Sequence, residues 1–201
     1  MSTNTDMEEK VIEYFHSSIQ AKMAVGESLA PEIAAAAKDI TQQLLNGGKL
    51  LIAGFGTSRH LAEHFHYCLS HGLNFERPTL PTVLLSDTPS PFADPARLDS
   101  EVFSRQITTL AGSNDILLLI SPGNDSEPLA QAVRVAYKRD LRCIVLTGPG
   151  DSLLTAGLKE NDRELSTGTN NQFRSQEIQL LIIFCLCELI EQHLFQGSTP
   201  L

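Results

Sequence analysis

Two hydroxyl-bearing loops hold the residues of this sequence best suited to grip a small anion. The first, Gly54-Phe55-Gly56-Thr57-Ser58, follows the apolar run 49–53 and precedes a helical pattern over Arg59–His71. Glycines let the backbone turn tightly there, and the free N–H groups of a helix N-terminus attract negative charge. Thr57 and Ser58 add hydroxyl donors. The loop lacks the Gly-Lys-Ser/Thr ending of a nucleotide-triphosphate loop, and Arg59 stands where a dinucleotide fingerprint needs a third glycine. The second loop, Ser121-Pro122-Gly123-Asn124-Asp125-Ser126, follows the apolar run 115–120. Two such loops at the carboxyl ends of parallel strands form a crevice suited to a phosphorylated small molecule. Pro122 removes one N–H from the second, and Asp125 is expected to bring negative charge to where a phosphate would sit.

Histidine and cysteine offer less. His60-Leu61-Ala62-Glu63-His64 matches the pattern of inverted zinc peptidases, with both histidines on one helix face. No third ligand is placed by spacing, so a surface histidine cluster is the better reading and His64 only a weak metal candidate. Cys68, Cys143, Cys185 and Cys187 show no C-x-x-C spacing, and Cys185 and Cys187 point to different faces of one helix. Buried, reduced thiols are expected. No cofactor is called for.

The elements that position these loops alternate. Residues 5–26 and a stretch from Pro31 to about Leu45 each read as a helix, the second ended by Gly47-Gly48. Residues 49–53, 82–85, 115–120 and 142–146 are short apolar runs that read as strands, and 163–166 is a weaker fifth. Helical patterns fall between them, and a long last helix spans 171–195, apolar on more than one face. Apolar runs with no polar alternation mark strands covered on both sides, hence a parallel sheet. Breadth of apolar surface on the last helix suggests contact with a second chain as well as its own sheet. Five prolines between 78 and 95 punctuate the segment flanking the second strand.

The chain has 201 residues and a net charge of −9, with no Lys/Arg run, which disfavours direct nucleic-acid binding. No apolar run is long enough to span a bilayer, and the first ten residues lack the order of a secretory signal, so a cytoplasmic location is expected.

The two loops, Glu76-Arg77-Pro78-x-Leu80-Pro81 and Arg174-x-Gln176-Glu177 occur together in one family. The chain resembles, from its first helix to about Phe195, the sugar isomerase (SIS) domain group that contains the phosphoheptose isomerases and the DnaA initiator-associating proteins. The resemblance implies an α/β fold, a three-layer α-β-α sandwich on a five-stranded parallel, flavodoxin-like sheet. Residues 1–46 would form helices packing in the interface of a homotetramer, and 47–201 the SIS domain. It implies phosphosugar-binding roles for Gly56, Thr57, Ser58, Ser121, Ser126 and Gln176. The isomerases carry a His and a catalytic Glu four residues apart on the helix after the first loop. Here these positions are His64 and Cys68. Eight residues beyond the glutamine of the last helix they carry a second His, where this chain has Phe184. Isomerisation through an enediol needs a positioned acid and base. Phe184 transfers no proton, and a Cys68 thiol among apolar groups is expected to have a raised pKa. The implied protein is non-catalytic, with Leu194-Phe195 as an exposed contact for a DnaA-type initiator and acidic enough to leave DNA to its partner. The alternatives are a phosphoheptose (sedoheptulose 7-phosphate) isomerase or a phosphosugar-binding regulator.

Overall fold

The computed structural model describes residues 4–88 and 100–195. The chain runs α1 (Asn4–Leu45), β1 (Leu50–Gly54), a 3₁₀ turn (Gly56–Ser58), α2 (Arg59–His71), β2 (Thr82–Leu84), α3 (Val102–Leu110), β3 (Ile116–Ile120), α4 (Glu127–Tyr137), β4 (Arg142–Thr147), α5 (Ser152–Thr155), β5 (Arg163–Ser166) and α6 (Gln172–Phe195). All strand pairs are parallel, in the order β2-β1-β3-β4-β5. Strand order reverses between β1 and β3, the place where open α/β sheets form their ligand crevice. This is the five-stranded, flavodoxin-like sandwich that the sequence led us to expect.

Alternation of side chains along each strand builds two cores. Leu50 and Ile52 of β1, with Ile116, Leu118 and Ile120 of β3, face α2, α6 and the last third of α1. Leu51 and Ala53, with Leu117 and Leu119, face α3 and α4. Burying each such leucine or isoleucine contributes about 1.5–3 kcal/mol, so both faces must be covered.

Three features differ from the sequence reading. The first two helices are one, 42 residues long, with Pro31 inside it. An interior proline costs a helix about 3 kcal/mol. Here Ala21, Val25 and Leu29 before the proline and Ile33, Ala36, Ala37 and Ile40 after it stay in register against one core, which outweighs that cost. The helices α3 and α5 were not foreseen. In α3, Phe103 and Ile107 are buried one turn apart, a pattern overshadowed by the proline-rich stretch before it. That stretch, from Pro89 onward, lies outside the described residues. The third feature concerns α6, which is long and apolar enough to cross a membrane by length and composition alone. Ile178, Ile182, Ile183, Leu186 and Ile190 line its core-facing side, beside the buried polar residues Gln179 and Glu191.

Candidate functional site

Both loops emerge on the carboxyl side of the sheet, and α6 touches each. Gln176 Nε2 donates to Thr57 Oγ1 at 2.8 Å, and Gln179 Nε2, one turn further, donates to the Ser121 carbonyl at 2.8 Å. One helix thereby sets the spacing of the two loops. Gln179 was missed in the sequence; its signal is a lone amide in a run of apolar residues, and it is fully buried.

The first loop turns on Gly54, where an added Cβ would lie 2.3 Å from the Ser58 carbonyl oxygen, so only glycine fits. Gly56, at φ +57°, and Thr57 are exposed at the crevice. The Ser58 amide donates back to the Phe55 carbonyl, and its buried hydroxyl has no partner among the described residues. Phe55 packs edge-on against Phe103, away from ligand chemistry.

The second loop is organised differently from expectation. Three of its N–H groups are spent within the protein: Gly123 on Ser121 Oγ, Asn124 on the Pro149 carbonyl and Asp125 on the Gly150 carbonyl. Ser121, expected to contact a ligand, is fully buried and donates its hydroxyl to Asp151 Oδ1 at 2.7 Å, so it braces the loop. Burial pushes the Asp151 carboxyl up, against the pull of its bonds to Ser121 and the Gly148 amide. Asp125 does not put its charge into the crevice. Its carboxylate accepts the Leu153 amide at 2.6 Å and the Ser152 hydroxyl, at the start of α5. A left-handed backbone at Asn124 and Asp125 makes that turn-away, which no spacing rule reveals. Ser126 keeps a buried hydroxyl with no partner among the described residues.

Deeper between α2 and α6, His64 and Phe184 meet edge to face, ring centroids 5.4 Å apart. His64 Nε2 lies 3.6 Å from Cys68 Sγ. The expected rise of the Cys68 pKa is reversed. The neighbouring Cys187 thiol holds it down, against burial and the Glu191 charge, with a smaller pull from the Arg77 guanidinium; Cys187 itself is pushed up. His60 is exposed, and among the described residues no group of three His, Cys, Asp or Glu side chains is placed to hold a metal.

At the end of α6 the two expected contact residues are presented unequally. Leu194 is half-buried against the core, whereas Phe195 is 38% exposed. The Phe195 ring meets Phe75 edge-on and lies 5.6 Å from the Arg77 guanidinium carbon. Arg77 is held in turn by Glu191, Nε to Oε1 at 2.8 Å, both side chains 1% exposed.

The SIS domain family matches residues 13–148, the stretch that carries both loops. The chain belongs to the SIS-domain family. Among SIS relatives, a phosphoheptose isomerase from Chromohalobacter salexigens is 37% identical over 196 residues, covering 96% of this chain and 99% of the relative. The DnaA initiator-associating protein DiaA of Escherichia coli O1:K1 / APEC is 36% identical over 191 residues, covering 94% and 97%. The solved structure of a phosphoheptose isomerase from Francisella tularensis superposes with a TM-score of 0.83 at 36% identity, over 95% of this chain and all of that one. SIS-domain architecture therefore extends over nearly the whole chain. Near-equal similarity to an isomerase and to an initiator-associating protein leaves the site residues to decide between them.

Proposed function

We propose that this chain is a non-catalytic, cytoplasmic SIS-domain protein that binds a DnaA-type replication initiator and promotes its assembly at the origin. The observation that carries the reading is Phe184, packed edge-on against His64. An aldose–ketose isomerase needs two groups that exchange protons with neighbouring carbons. At the two positions where the family resemblance would place them stand a phenyl ring and a buried thiol. The initiator-associating relative is as similar as the isomerase, and Phe195 offers an outward aromatic ring backed by Phe75 and Arg77, the type of anchor that interfaces favour. The net charge of −9 suits a protein whose partner contacts the DNA.

The same reading makes the protein a homo-oligomer, with a tetramer the form the family resemblance suggests. On the first half of α1, Val11, Ile12, Tyr14, Phe15, Ile19 and Met23 are each more than half exposed. They continue into a cavity of about 500 Å³ lined by Tyr14, Ser17, Asn171, Phe173 and Arg174. An apolar face of this extent marks an interaction surface. In this reading α1 has a core-packing end and an interface end.

A phosphorylated sugar remains the ligand that the crevice favours. Gly56, Thr57 and Gln176 lie at its surface, and the buried hydroxyls of Ser58 and Ser126 have no partner among the described residues. A buried unpaired hydroxyl is uncommon enough to call for a reason. In this reading the sugar regulates and is not turned over.

The test sets two assays on one preparation. Purified protein is expected to bind the N-terminal domain of its organism's initiator at micromolar concentration or better, and to leave sedoheptulose 7-phosphate unchanged. The double variant Leu194→Ala/Phe195→Ala should abolish binding while the oligomer stays intact. Turnover that disappears on changing Gln176 or His64, with no initiator binding, would establish the isomerase instead.

A further inference from the structure

Phe195 closes α6, and the carbonyls of a last helical turn have no partner within the helix, so such an end frays unless something outside holds it. Here the hold comes from the segment that follows α2. Gly72 ends that helix at φ +90°, and a Cβ there would lie 2.6 Å from the Phe75 carbonyl oxygen, so only glycine lets the chain fold back this tightly. The Leu73 amide then donates to Glu191 Oε1 at 2.8 Å, one turn before Phe195 on α6. Folding back brings two side chains to the Phe195 ring. Phe75 meets it edge-on, centroids 6.3 Å apart, and the Arg77 guanidinium carbon lies over it, 5.6 Å from its centroid.

Arg77 is fixed more firmly than the ring it faces. Its side chain is 1% exposed, and Nε donates to Glu191 Oε1 at 2.8 Å. Its Nη1 donates to the carbonyls of Leu69 and Pro78, at 2.9 and 3.0 Å, and its Nη2 to the Cys68 carbonyl at 3.1 Å. Two of these carbonyls belong to the last turn of α2, so one guanidinium ties the ends of α2 and α6 together. A planar group held at four points cannot follow a moving ring; the ring settles on it. Burial adds to the hold, because a cation shielded from water attracts an aromatic ring more strongly than an exposed one.

We propose that Arg77 is a positioning residue for Phe195: its buried guanidinium holds the ring, and with it the last turn of α6, in the orientation that a partner protein meets. The inference rests on the reading of Phe195 as the initiator contact. The exposed part of the ring is then set before the partner arrives, and binding does not have to order a frayed helix end.

The experiment compares the full-length wild type with Arg77→Lys, which keeps a cation opposite Glu191 but loses the planar fork. Hydrogen exchange read by mass spectrometry reports the helix end directly, and titration with the N-terminal domain of the organism's initiator reports the anchor. In Arg77→Lys the peptide carrying Leu194 and Phe195 should exchange about twofold to thirtyfold faster, with peptides of the first loop unchanged, and the domain should bind more weakly by a similar factor. Placed in a Phe195→Leu background, which has no ring to hold, Arg77→Lys should cost no further affinity. A role in general stability would give the same loss in both backgrounds, and that result would overturn the inference. Exchange or affinity at the wild-type value in Arg77→Lys would overturn it too, leaving the initiator reading in place. A wild type that does not bind the domain would remove that reading and this inference with it. Should Arg77→Lys fail to fold, Arg77→Met with Glu191→Gln removes both buried charges together and is held to the same three results.

Discussion

Arg77 and Glu191 bury two full charges in one pair, and the consequences of losing either follow from what surrounds them. Glu191 Oε1 accepts both Arg77 Nε and the Leu73 amide at 2.8 Å, and Arg77 also donates to the carbonyls of Cys68, Leu69 and Pro78. Removing one member of a buried pair leaves the other uncompensated, at about 3–5 kcal/mol. Glu191→Ala is therefore expected to lose about that much stability in urea unfolding, far more than Phe195→Ala, which gives up one half-exposed ring and its contact with Arg77. A loss under 1 kcal/mol for Glu191→Ala would show that water reaches the pair. At this scale the sequence was legible where identity alone decides: a phenylalanine at 184 cannot move a proton wherever it points. It was misleading where direction decides. Asp125 turns its charge to α5, and Ser121 turns inward to Asp151. Neither direction follows from spacing.

Helix α6 connects the pieces that matter, reaching Thr57 through Gln176, Ser121 through Gln179 and α1 through Glu177. Burial opposes ionisation of Glu177, but the Ser18 hydroxyl, Arg174 and Lys22 together hold its carboxyl below the ordinary value. A depressed carboxyl adds stability that is present above its unfolded value and lost as pH falls through the folded one. Stability measured on the acid side of the ordinary glutamate value should therefore fall less steeply with decreasing pH in Glu177→Gln than in the wild type. Gln176 is the residue on which the proposed sugar ligand can be tested. A phosphosugar at about a hundred times its dissociation constant should add about 2.7 kcal/mol, and at about 2–4 °C per kcal/mol for a chain of this size the melting temperature should rise by about 5–10 °C. Gln176→Ala should remove most of that shift, and an equal shift in both proteins would place the sugar elsewhere. The strands were readable because doubly buried runs such as residues 116–120 have no polar alternation. The continuity of α1 through Pro31 was not, because tertiary packing overrode a local rule.

As a whole molecule, the chain is a parallel sheet with its two loops on the carboxyl side, an exposed apolar face on the first half of α1, and an exposed phenylalanine ring at the end of α6. Phe15→Glu with Ile19→Glu should leave secondary structure unchanged and reduce the mass seen by light scattering to that of a smaller species. An unchanged mass would move the oligomer contact off α1. The family assignment holds whichever way these tests fall, since loops, sheet and chain coverage carry it. Function rests on fewer residues. The most direct measurement is light scattering of the wild-type oligomer mixed with the N-terminal domain of its organism's initiator, beside the same mixture made with Leu194→Ala/Phe195→Ala. The account predicts a complex heavier by several copies of the domain for the wild type and none for the variant, whose own oligomer keeps its mass. An oligomer that gains no mass at micromolar concentration, or a variant that binds as well as the wild type, would contradict it.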